Sequence, residues 1–96
     1  MKLAIERFGS GEPLVLIHGM GSAATAWKPL TKLLIENFQV LSIDLPGHGN
    51  SPFSPDQPMD PISLAKLVIK NIEDLGIERF SLIGNSLGGW ISLEMA

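Results

Sequence analysis

Apolar residues along this chain fall into two patterns that alternate. "PLVLI" (13–17) and "FQVLSID" (38–44) are near-continuous runs of Val, Ile, Leu and Phe, as expected of strands buried on both faces. "FSLI" (80–83) reads as a further buried strand, and "KLAIERF" (2–8) as an opening strand closed by the turn signal "GSGEP". Between the runs the period becomes helical. Trp27, Leu30, Leu33, Leu34 and Phe38 share one face over 27–38, with Lys28, Thr31, Lys32 and Glu36 between them. Leu64, Ala65, Val68, Ile69, Ile72 and Leu75 predict a second helix, capped by Asp60, begun at Pro61 and stopped by Gly76. A third helix is expected from Leu87.

Strand, helix, strand, helix, strand predicts an α/β fold: a mostly parallel sheet with right-handed crossovers and helices on both faces, in one domain over residues 1–96. Parallel strands end at a common edge, where open α/β sheets keep their sites. The loops starting there are His18-Gly19-Met20, Asp44-Leu45-Pro46-Gly47 and Gly84-Asn85-Ser86, all rich in glycine. The middle one runs into "LPGHGNSPFSPDQPM", with four prolines in fifteen residues.

"GNSLG" (84–88) fits G-x-S-x-G, a pattern that a chain of this length shows by chance about a few per cent of the time. Its place after a buried strand and before an apolar helical run is what a nucleophile elbow requires. That makes Ser86 the candidate nucleophile. An idle serine in a Gly-rich turn, or a phosphate loop, is the alternative, although neither G-x-G-x-x-G nor Gly-Lys-Ser/Thr is present. In "LIHGMG" (16–21), the Met20 N–H is the candidate second donor, with the Leu87 N–H, of a pocket for a developing oxyanion. The bland alternative there is a glycine turn leading into a helix.

Composition narrows the partners. Seven Lys and Arg against ten Asp and Glu give a net charge of −3, with no basic cluster to attract nucleic acid or an anionic membrane. The absence of cysteine excludes disulfides and thiolate metal sites, and no spacing of His or carboxylates suits a metal. Neither a signal-peptide core nor a membrane-length apolar run is present, so a soluble, cytoplasmic protein without metal or cofactor is expected.

"HGMG", "DLPGHGNS" and "GNSLGG", in this order and spacing, resemble the N-terminal half of an α/β-hydrolase from about residue 3 to residue 96. The resemblance implies Ser86 as nucleophile and the Met20 and Leu87 amides as oxyanion hole, acting on a small acyl or carbonyl substrate. It implies an esterase, lactonase, thioesterase or carbon–carbon bond hydrolase. It also places the triad acid and histidine after the elbow, whereas "LGGWISLEMA" after Ser86 holds only Glu94 and no histidine. The general base is therefore expected outside this chain. His18 is expected to support the oxyanion loop, His48 to be a partly exposed loop residue, and Asp44 to stabilise a turn. Trp27 and Trp90 are expected to pack. Further strands are implied beyond 80–83, so this strand should present an open edge. That edge suggests self-association, and a non-catalytic binding module using it is the rival reading.

Overall fold

Residues that alternate sides within one apolar run must serve two cores, and they do so in the computed structural model, which describes residues 1–96. The strands are β1 (Ile5–Phe8), β2 (Glu12–Ile17), β3 (Phe38–Ile43) and β4 (Ser81–Gly84), in the order β1-β3-β2-β4. β2 pairs in parallel with both β3 and β4, whereas β1 runs antiparallel to β3. Val15, Ile17, Leu41 and Ile43 point to one side, into a core completed by Leu64, Ala65, Val68 and Ile72 of α2 (Pro61–Glu73) and Ile91 of α3 (Leu87–Met95). Leu14, Leu16 and Val40 point to the other, against Trp27, Leu34, Phe38 and Ile83. The sheet is thus mostly parallel with helices on both faces, as the alternation predicts.

Burial of this kind stabilises by about 1.5–3 kcal/mol per large aliphatic side chain. It is what holds α1 (Lys28–Leu34), since seven residues cannot sustain an isolated helix. A short 3₁₀ turn, Ala24–Trp27, leads into α1. The helix is shorter than the 27–38 stripe suggests, because Phe38 already belongs to β3. Leu33 is also not part of its inner face and stands 74% exposed. At 100° per residue it lies about 110° from the centre of the stripe formed by Trp27, Leu30, Thr31 and Leu34. Leu75 lies past the end of α2 and is likewise exposed.

The helix starts follow the sequence signals. The Asp60 carboxylate accepts the Ser63 N–H at 3.0 Å and Pro61 opens α2. That bond holds the exposed Asp60 carboxyl below its ordinary pKa. The opening strand is shorter than expected, and the residues before it are tied down by a side chain instead. Leu3 N–H donates to Asn71 Oδ1 at 2.8 Å, while Asn71 Nδ2 donates to Met1 O and Leu67 O. Trp27 packs as expected, although neither its Nε1 nor the buried Ser42 Oγ finds a partner. No helix is long and apolar enough to cross a membrane.

β2, β4 and α3 meet at two glycines. A Cβ on Gly84 would overlap Gly88 O, and one on Gly88 would overlap Ile17 O. Gly89, one residue on, has its nearest neighbour at 3.5 Å, an ordinary contact. Gly88→Ala should therefore lower stability by about 1–3 kcal/mol or more through overpacking. Gly89→Ala should raise it by up to about 1 kcal/mol through helix propensity. Urea unfolding of both variants checks the contrast, and equal effects would contradict it.

Candidate active site

The C-terminal ends of β2, β3 and β4 lie at one edge of the sheet, because these strands are parallel. At that edge β4 turns into α3 through Asn85-Ser86-Leu87-Gly88, closed by Gly88 N–H donating to Asn85 O at 2.9 Å. Ser86 has φ 56° and ψ −116°, and no other non-glycine residue has positive φ. These are the dihedrals of the first central residue of a type II′ turn, a position dominated by glycine. A side chain held there costs about 1–3 kcal/mol. The turn leaves Ser86 exposed at the head of α3, and the first amides of a helix, Leu87 among them, lack intrahelical acceptors.

The loop after β2 lies against this turn. A Cβ on Gly19 would stand 3.2 Å from Asn85 O and 3.3 Å from Ser86 Cβ, so the two loops touch. Gly19-Met20-Gly21-Ser22 is itself a turn, closed by Ser22 N–H to Gly19 O at 3.1 Å, with Gly21 at φ 78°. The Met20 side chain is 62% exposed and its N–H makes no bond within the protein. Ser86, Met20 and Leu87 are thus collected at one edge by two touching loops.

Behind them the loop after β3 acts as a brace. The buried Asp44 carboxylate accepts Ala24 N–H at 2.8 Å and Asn50 N–H at 3.0 Å, while Ser51 Oγ donates to Asp44 O at 2.5 Å. Asp44 is a turn-stabilising acceptor, as expected. His18 is buried; its Nδ1–H donates to Gly19 O at 2.7 Å and its Nε2 accepts Leu45 N–H at 3.0 Å. His48 is more engaged than a loose loop residue. Its Nε2 accepts Gly21 N–H at 2.9 Å and its Nδ1–H donates to Pro46 O at 3.0 Å. Both imidazoles therefore sit in one neutral tautomer, with ring centroids 5.0 Å apart.

Sequence reasoning missed the tie from His48 to Gly21. Its one signal was His48 between Gly47 and Gly49, on a loop that shares an edge with the Gly19-Met20-Gly21 loop. Trp90, expected to pack, is 59% exposed, because Ile91 takes the inward position on α3. Two hollows lie elsewhere, one lined by Glu12, Pro13, Arg79, Phe80 and Ser81, the other between the N-terminal residues and α2. Neither touches Ser86.

A mostly parallel sheet with a strained serine at a strand-to-helix turn, faced by a glycine loop from the neighbouring strand, defines a hydrolase-like α/β architecture. Residues 14–96 match the alpha/beta hydrolase family, and the chain belongs to it. It is 33% identical, over all its 96 residues, to the pimeloyl-[acyl-carrier protein] methyl ester esterase of Legionella pneumophila, and covers 36% of that protein. It is 40% identical over 85 residues to the (E)-2-((N-methylformamido)methylene)succinate hydrolase of Acinetobacter baylyi, which is 88% of this chain and 32% of the relative. Among solved structures, a marine microorganism esterase superposes with a TM-score of 0.92 at 32% identity, over 98% of this chain and 36% of that one. An N-acyl homoserine lactonase gives 0.90 at 33% identity, over 97% and 35%. The chain spans about a third of the length of these relatives.

Burial pushes the His18 pKa below the ordinary value of 6.5; the Gly19 carbonyl opposes this, His48 adds to it and Asp44 opposes it. A folded pKa below the unfolded one means that the unfolded state binds more protons on acidification. The contribution of His18 is therefore fully present above pH 6.5 and is lost as pH falls toward its folded pKa. The denaturation midpoint should fall over that window, with the His18 ring proton signals titrating below pH 6.5. Titration of His18 at or above that value in an NMR series would contradict this.

Proposed function

We propose that Ser86 is the nucleophile of a serine hydrolase acting on a carboxylic ester or a related acyl or carbonyl substrate, and that this chain is its nucleophile-bearing portion. The observation that carries the reading is a serine in a turn position where glycine would cost nothing. The strain has a use if Oγ must stand clear of the sheet for attack. In the reaction, Ser86 Oγ attacks the carbonyl carbon and yields its proton to a histidine. The Met20 and Leu87 N–H groups stabilise the oxyanion. The histidine gives its proton to the departing alcohol as the ester C–O bond breaks, and water then hydrolyses the acyl-serine to the acid and free Ser86. Matches to a methyl ester esterase and a lactonase support acyl chemistry. No cofactor is needed for it.

The base lies outside residues 1–96 in this reading. Both histidines use Nε2 as an acceptor and Nδ1–H as a donor, so neither has a lone pair to offer Ser86. The isolated chain should show only trace turnover of an activated aryl ester, nearly unchanged by Ser86→Ala. With a triad acid and histidine supplied downstream, the same substitution should lower kcat by about 10⁴-fold or more. Turnover by the isolated chain that requires both Ser86 and His48 would assign the base to His48 and overturn this division.

A second reading rests on the edge of the sheet. β4 pairs only with β2, and Trp90 and Leu93 stand exposed on α3 beside it. Unpaired strand groups next to apolar surface recruit other strands. The isolated chain should therefore elute as concentration-dependent oligomers or precipitate. A monomer at all concentrations in size-exclusion chromatography with light scattering would remove this reading.

A further inference from the structure

We propose that His48 is a positioning residue for the loop that carries the oxyanion donor at Met20, fixing through the Gly21 amide the peptide that follows that donor; this rests on the hydrolase reading above. The Met20–Gly21 peptide is the central one of the Gly19–Ser22 turn, and Gly21 at φ 78° with the Ser22-to-Gly19 bond gives the type II form. Such a turn can convert to type I by rotating its central peptide, which reverses the direction of the N–H of its third residue. In this turn that N–H points at His48 Nε2, 2.9 Å away. Rotation would break the bond, so His48 selects one of the two forms.

His48 is itself held. Its Nδ1–H donates to Pro46 O, and its ring lies against His18, which reaches back from the first loop to Leu45 N–H on the second. Each imidazole thus crosses to the other loop with Nε2 and returns to its own with Nδ1. The two loops are cross-linked twice. The charged or titratable groups around His48 are His18 at 5.0 Å between centroids and, behind the same loop, the Asp44 carboxylate. Because Nε2 must accept, only neutral His48 can serve, and a protonated ring would present N–H to N–H. The His18 bonds hold Gly19 and Leu45, while the His48 bond alone reaches the residue after Met20.

The test uses the full-length protein labelled with ¹⁵N. A scalar coupling across the hydrogen bond between Gly21 N and His48 Nε2 is expected in the wild type. His48→Ala should lower kcat on an aryl ester about 3- to 10-fold with KM little changed, the effect of one partly exposed hydrogen bond. His48→Gln, which keeps an acceptor, should recover most of that loss. Absence of the coupling while turnover depends on Ser86 overturns the positioning role alone. Equal losses in the Ala and Gln variants, or a change in KM only, also overturn it and leave His48 a packing residue. A clear coupling with no turnover dependent on Ser86 would overturn the hydrolase reading and the role together.

Discussion

Everything at the edge that carries Ser86 depends on how closely the start of α3 passes beneath the end of β2. Backbone meets backbone there, with Gly88 under the Ile17 and His18 carbonyls and Gly84 against Gly88. A side chain at either position would push α3 away from the sheet. The strained dihedrals of Ser86 follow from this crossing, since the chain must reverse within one residue to run back along the strands. The neighbouring turn at Gly19 also fits only because these backbones are close. Close approach, rather than any one polar contact, sets the geometry.

The polar groups then lock what packing brings together. Asp44 illustrates how a buried carboxylate survives without a cation, by accepting two backbone N–H bonds in a cage of main chain. Ser51 holds the Asp44 carbonyl and also accepts the Ala4 N–H, so the β3 loop is tied to the residues leading into β1. His18 and His48 link that loop to the one after β2. A strand edge that would otherwise carry three independent loops becomes one connected piece.

Much of this was legible from period and punctuation. Strands buried on two sides announce themselves as unbroken Val, Ile and Leu runs, and β2 and β3 fall within a residue of the runs that predict them. The Asp60-Pro61 start of α2 was equally plain, because capping is a local interaction. The errors came where a residue's direction is set by a distant partner. Leu33 and Trp90 are apolar and helical, yet each is rotated off the contacting face of a short helix. At the candidate site, a motif could nominate Ser86, Met20 and Leu87, but could not reveal the hold of His48 on Gly21, which joins residues 27 apart on different loops.

Asn71 adds a constraint of a different kind, on the order of events. Its buried amide serves the Met1 carbonyl and the Leu3 amide, 70 and 68 residues earlier in the chain. During synthesis Met1 and Leu3 emerge first, yet the Met1 carbonyl and the Leu3 amide have no Asn71 partner until α2 has been made. The segment synthesised earliest is therefore among the last to settle. Such long-range closure slows folding, and until β1 has paired, the outer side of β3 stays open to whatever strand reaches it first.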